Sequence, residues 1–176
     1  THTLAQQLVG GSDGLFRTNT TWSKATETSS TVLAYGHQTY DSFRPNSGSQ
    51  KDFARWNGEY RVAPGQALST TFAYTRSHEQ IAGEIDLEDL EAGLALDNPL
   101  YAKNKAGIEI ESERVGFTHA ARLDPRFDVR STLYATTQTM SQPFAHGFSD
   151  YNRFTFGARS ALGVKTAVQG VPLDGA

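Results

Sequence analysis

Seven stretches of the chain alternate between apolar and polar residues with a period of two, the pattern of strands that show a different medium on each face. They run over about Leu15–Lys24, Thr31–Asp41, Asp52–Val62, Ala67–Arg76, Ser112–Leu123, Phe127–Met140 and Asn152–Leu162. In the third, Ala54, Trp56, Gly58, Tyr60 and Val62 oppose Phe53, Arg55, Asn57, Glu59 and Arg61, so all three charges share a face. The fourth sets Leu68, Phe72 and Tyr74 against Ser69, Thr71 and Thr75. The fifth sets Val115 and Phe117 against Arg114, Thr118 and Arg122, and the seventh Phe154 and Phe156 against Arg153, Thr155 and Arg159. The second, through Val32-Leu-Ala-Tyr-Gly-His37, does not declare its outward face. Most of these stretches reach the ~9–11 residues that a tilted strand needs to cross a bilayer.

The connections add a second pattern. Ala25–Ser30, Ala63–Gln66 and Leu123–Arg126 are tight, and Pro64-Gly65 suits the centre of a type II turn. The others, 42–51, 77–111 and 141–151, are long. Short and long alternate, so a meander places the short turns on one rim and the long loops on the other. Outer-membrane barrels have that asymmetry, with long loops extracellular. The fold expected is all-β: an antiparallel up-and-down meander of about seven long strands, part of a transmembrane barrel and an open curved sheet by itself. A soluble β-sandwich that binds a ligand or carbohydrate is the alternative, because it too has one apolar and one polar face.

Segregation of charge favours the barrel, since a lysine or arginine facing lipid costs roughly 2–4 kcal/mol at the midplane. Three residues break the phase. Arg76 and Glu113 lie at strand ends, where a long cation can snorkel and the penalty is small. His119 has no such account. Trp22, Tyr60, Tyr74 and Phe154 suit the two interfacial girdles.

Composition narrows the classes further. Hydrophobic residues make up only 38 % of the 176, yet aromatics reach 11 %, which suits a two-faced sheet and not a disordered chain. A net charge of −3 without a basic cluster gives no nucleic-acid footprint. The absence of cysteine excludes disulfides and thiolate chemistry in these residues. Thr1 opens without a Met or a leader, and Val168–Ala176 trails off without a closing element, so the sequence is expected to be an excerpt.

Chemical motifs are sparse. Glu84–Glu91 is acidic, but its spacing matches no EF-hand. Leu87, Leu90 and Leu94 at helical spacing predict a short surface helix instead. His37, His78, His119 and His146 lack metal-site spacing. Asn19-Thr20-Thr21 is a glycosylation sequon by chance, inside a strand. No motif joins a Ser nucleophile to a base, so neither an enzyme nor a cofactor is expected. Aromatic, Arg and His side chains gather at the roots of the long loops. Tyr40, Phe43, Arg44, Arg76, His78, Tyr101, Phe144, His146 and Tyr151 are candidates to line a ligand vestibule. They are equally suited to packing the loops against one another.

Gly11-Ser-Asp-Gly-Leu-Phe-Arg-Thr-Asn19 and Tyr35-Gly-His-Gln-Thr-Tyr-Asp-Ser-Phe-Arg-Pro-Asn-Ser-Gly-Ser-Gln-Lys-Asp-Phe53 resemble the barrel region of TonB-dependent outer-membrane receptors. Ser77-His-Glu-Gln-Ile-Ala-Gly-Glu-Ile-Asp86 and Gln142-Pro-Phe-Ala-His-Gly-Phe-Ser-Asp-Tyr-Asn152 do so as well, nearest in style to ferric-siderophore and ferric-citrate receptors. The resemblance covers about Gly11 to Leu162. It implies a location in the bacterial outer membrane, in contact with its lipid, and membership of a barrel of the 22-stranded plugged class. It further implies uptake of a ferric-siderophore-type ligand, driven by the TonB complex through a plug region missing from this stretch of sequence. It assigns no ligand residues one by one.

Overall fold

Each alternating stretch forms a strand, and ladder pairing carries the strands past the limits that polarity marks. The computed structural model describes residues 1–93, 96–168 and 171–175, with side chains through Lys165. Its strands are β1 (His2–Gly10), β2 (Phe16–Ala25), β3 (Ser29–Tyr40), β4 (Ser49–Ala63), β5 (Gln66–Gln80), β6 (Gly107–Arg122), β7 (Phe127–Phe144), β8 (Gly147–Val168) and β9 (Val171–Gly175). They form one sheet in the order β1 to β9, with every neighbouring pair antiparallel. Two short helices, α1 (Leu87–Glu91) and α2 (Pro99–Lys103), lie between β5 and β6.

The all-β meander is therefore present, with nine strands among the described residues in place of about seven. β1 escapes a search for alternating faces because Gln6 interrupts its apolar side between Leu4 and Leu8. β9 falls in the stretch read as trailing off; residues 169, 170 and 176 of that stretch lie outside the described residues.

A second correction concerns 141–151, expected as a long loop. β7 and β8 stay paired from Ser141↔Asp150 to Phe144↔Gly147, leaving only Ala145 and His146 as connection. Pro143 suggests a break, but β6 pairs with β7 only as far as Ser141. Beyond it β7 has one neighbour, and a proline is tolerated on the open side. The other long connections shrink to 41–48 and 81–106 because their flanking strands extend.

The registers decide the face of every strand. One row across the sheet reads Leu4, Trp22, Leu33, Trp56, Phe72, Val115, Ala135, Phe156, apolar on eight successive strands. The next row on the opposite face reads Thr21, Ala34, Arg55, Ala73, Arg114, Thr136, Thr155. β3 thus places Leu33 and Tyr35 on the apolar face, which its own sequence left open.

Among the described residues nothing covers that face. Among the described residues the buried hydrophobic ones are Ala82, Ala106 and Ala121, while Leu4, Phe154 and Phe156 are 69 %, 65 % and 75 % exposed. A sandwich would bury the large side chains of two facing sheets. A single open sheet excludes the two-layered alternative.

Local chemistry fixes the turns. Gly65 takes φ +73°, as the third position of a type II turn requires after Pro64. Asp124 accepts the backbone N–H groups of Arg126 and Phe127 at 2.6 and 3.0 Å, closing the β6–β7 turn.

Candidate functional site

The two features with chemical potential are the charged face of the sheet and the rim that carries the longer loops. On the charged face stand Arg55, Arg61, Arg114, Arg122, Arg130, Arg153 and Arg159, with Glu59, Glu79 and Asp128 among them. Lys51 pairs with Glu79 at 2.8 Å. Among the described residues none of those seven arginines has a carboxylate within ion-pairing distance. Aromatic rings share this face: Tyr151 lies under the Arg153 guanidinium, 5.4 Å from ring centre to charge.

Toward the long-loop rim the polarity of the wall inverts. Ile108 and Ile110 stand on the arginine face, and Asp52, Glu109 and Glu111 on the apolar one. His37 Nδ1 meets Asp52 Oδ1 at 2.7 Å there, and Arg76 Nε donates to Glu109 Oε1 at 2.8 Å. Arg76 thus has a protein partner, where the sequence suggested snorkelling. His119 also gains an account: its Nε2 lies 3.2 Å from Gln66 Oε1, beside the short-turn rim.

All four connections on the long-loop rim are joined in a chain. Asp13 O accepts Asp41 N at 2.9 Å and Ser42 N at 3.2 Å. Arg44 then reaches across, donating from Nε to Leu96 O at 2.8 Å and from Nη2 to Gly83 O at 2.9 Å. Asn46 Nδ2 donates to Ile81 O at 2.6 Å. Asn104 Nδ2 donates to Ala145 O at 2.7 Å, tying α2 to the β7–β8 turn. Long side chains spent on backbone carbonyls fix a loop without needing an apolar core beneath it.

The residues proposed for a vestibule are thereby sorted by position. Tyr40, Phe144 and Tyr151 lie on the arginine face near the rim, and His146 lies in the β7–β8 turn. Phe43 is exposed at the loop surface. Arg44 is committed to loop carbonyls. Tyr101, on α2, packs against Gly83 so closely that a Cβ there would meet its ring at 2.6 Å. Arg76 and His78 stand on the opposite face of the sheet, so they do not join the others.

Of the acidic segment, Leu87–Glu91 is helical as expected, with Leu87 and Leu90 exposed; Leu94 lies outside the described residues. α2 was missed, although Asn98 followed by Pro99 is a readable start: Asn98 Oδ1 accepts Leu100 N at 3.0 Å. Among the described residues no three His, Asp or Glu side chains converge as a metal site would need.

One comparison with known proteins bears on this geometry. The sheet superposes on the unliganded crystal structure of the ferric citrate transporter FecA with a TM-score of 0.74 over 95 % of this chain, at 12 % sequence identity. The two share a fold. The chain spans about a quarter of that transporter's length, 26 %. No family model and no curated protein matches the sequence.

Proposed function

We propose that this chain is a section of the wall, with its outer loops, of an outer-membrane receptor that imports a metal chelate under TonB drive. The ligand class is the ferric siderophore, and the section itself has no catalytic role. The reading rests on one observation above all. Eight adjacent strands present an unbroken apolar row, and the row behind it carries arginine and threonine. A monomeric soluble protein rarely exposes an apolar patch larger than a few hundred Å². Hydrocarbon covers this one without further protein, and the arginine face then looks into an aqueous lumen. The fold shared with a transporter of ferric citrate supports the same assignment.

Strand length fits this setting. At about 3.4 Å per residue, the 18 residues of β7 span roughly 60 Å, twice a hydrocarbon core of about 30 Å. The excess stands outside the membrane, where the polarity of the wall inverts.

Growth of a strain lacking the gene, on a panel of ferric chelates as sole iron source, tests the proposal. A defect confined to one chelate class, reproduced by loss of a working TonB complex, is expected. Undiminished growth on every chelate would overturn it.

A further inference from the structure

The apolar face is not smooth. One of its rows reads Tyr35, Ala54, Tyr74 across β3 to β5, with a single methyl group between two rings. The next row toward the short turns, Trp22, Leu33, Trp56, Phe72, is large throughout. Ala54 leaves room for a furrow of about 360 Å³. Trp22, Leu33, Tyr35, Trp56 and Phe72 wall it, and Thr20 borders it on β2. Ala34 and Arg55 touch it as well, but both belong to the opposite face of the sheet. The one charged residue of the lining therefore directs its guanidinium away from the furrow.

Neither the backbone nor the nearest acid here offers a polar occupant anything. Beyond Ala54, toward the loops, Asp52 accepts from Tyr35 Oη at 3.1 Å and Gln50 Nε2 at 3.3 Å, and meets His37 Nδ1 at 2.7 Å. β2, β3, β4 and β5 are paired along both edges. An extended protein segment laid across them would bury its own peptide groups without partners. A helix satisfies its own peptides but is too wide. β3 and β5 are two strand spacings apart, about 9.6 Å, and their side chains narrow the gap further. A helix with its side chains needs about 10–12 Å. An unbranched alkyl chain is narrow enough and has no polar group to satisfy.

We infer that this furrow seats one straight acyl chain of an outer-leaflet lipid, in preference to the hydrocarbon around it. The inference rests on the transporter reading, which puts this face in a bilayer with the loops outside. Within hydrocarbon, association is decided by packing, because transfer from water no longer contributes. A gap that neighbouring atoms do not fill forfeits the contacts of its lining. The walls are large side chains fixed on a fully paired sheet, so a chain lying in the furrow gains contacts that a chain skimming the flat wall lacks. The tail carries the site and the headgroup does not, since Asp52 already has its partners.

The two tryptophans of the chain, Trp22 and Trp56, both line the furrow. Bromine on a lipid chain quenches indole fluorescence on contact, so the pair reports what occupies it. The full-length receptor is placed in vesicles of diphytanoyl-phosphatidylcholine, whose methyl-branched chains are too wide for the furrow. Phosphatidylcholine with straight chains that end in a bromine atom is then added in increasing proportion. Subtracting the signal of a Trp22→Phe/Trp56→Phe receptor isolates the native pair. Phe156→Trp in that background puts a reporter in the same apolar row but on β8, away from the furrow. Half-maximal quenching of the native pair is expected at about a five-fold lower proportion of straight-chain lipid than for Phe156→Trp, the gain that closer packing supplies. Ala54→Leu, which fills the furrow and keeps the face apolar, is expected to abolish the difference. Phosphatidylglycerol with the same brominated chains is expected to give the same midpoint as phosphatidylcholine.

Equal midpoints for the native pair and Phe156→Trp overturn the inference, because the furrow then meets only bulk hydrocarbon; the transporter reading would stand. A preference that survives Ala54→Leu, or that follows the headgroup and not the chain, overturns it as well. So does a native pair that no lipid quenches while Phe156→Trp is quenched, because polypeptide then fills the furrow. Quenching of neither reporter would mean that this face does not meet lipid, and the transporter reading would fall with the inference.

Discussion

Along β6, Val115 and Phe117 stand on the apolar face with Arg114, Thr118 and Arg122 behind them. A few residues toward the long-loop rim, Glu109 and Glu111 occupy that same face, and Ile108 and Ile110 stand behind. The backbone does not change: β6 pairs with β5 without a register shift from Gly107 to Ala121. On the proposed reading, what changes is the medium each half meets. The half near the short turns is ordered from outside, by whatever covers Phe72, Val115 and Phe156. The half near the loops is held from within the protein, by the Arg76–Glu109 pair and by side chains that tie loop to loop. If that reading holds, an inversion of phase without a break in the ladder marks where the apolar surroundings end.

The strongest way to break this contrast is to put a charge into the apolar row. Phe72→Arg places a cation between Trp56 and Val115. Thr71→Arg, one residue earlier, faces the arginine side, where charge is already tolerated. The first is expected to cost about 2–4 kcal/mol, the penalty for arginine near the middle of a bilayer. The second costs less, limited to the hydrogen bond from Thr71 Oγ1 to Asn57. Yields of heat-resistant, folded receptor in the outer membrane measure both. Equal yields would mean that the apolar row does not face hydrocarbon.

Next in size is the loop assembly. Arg44→Ala removes two hydrogen bonds that cross from the 41–48 connection to the 81–106 connection. Bonds to a charged group contribute about 1.5–3 kcal/mol each when well formed, and less where water competes. Proteolysis within 81–106 is expected to speed up several-fold while barrel yield stays unchanged. Unchanged protection would mean that the loop is held by contacts other than Arg44. Arg44→Lys sharpens the result, because one ammonium cannot span both carbonyls as the guanidinium fork does.

The lower half was legible in the sequence because alternation there is strict and each strand repeats it. Residues such as Trp56, Phe72 and Val115 gave their face directly. The upper half was not, for the reason that sets it apart. Where phase inverts, Ile108 and Ile110 no longer agree with Val115 and Phe117, so alternation alone starts β6 at Ser112. Gln142-Pro-Phe-Ala-His-Gly-Phe148 reads as a loop by composition, and only its pairing makes it a ribbon. The vestibule candidates fared in kind. Residue type brought Tyr40, Phe144 and Tyr151 to one face, but type alone could not tell that Arg76 and His78 point the other way, or that Arg44 would be spent on carbonyls.

The smallest effect expected is also the one that places the boundary. Arg76 and Glu109 face the same side as Phe72 and Tyr74, only a few residues further along the wall. If hydrocarbon reached that height, Glu109→Gln would strand a desolvated guanidinium, and removing one partner of a buried pair is strongly destabilising. If the wall has already emerged into water, the pair is a surface ion pair of the kind that contributes little. The Arg76 side chain is 54 % and that of Glu109 38 % exposed, and Asp52 and Glu111 stand beside Arg76. Those neighbours argue for water. The urea midpoint of Glu109→Gln is therefore expected to stay within error of the parent receptor, and raised salt is expected to remove any residual difference. A loss as large as that of Phe72→Arg would move the edge of the apolar zone above Arg76, and the inversion of phase would then need a cause other than the end of the membrane.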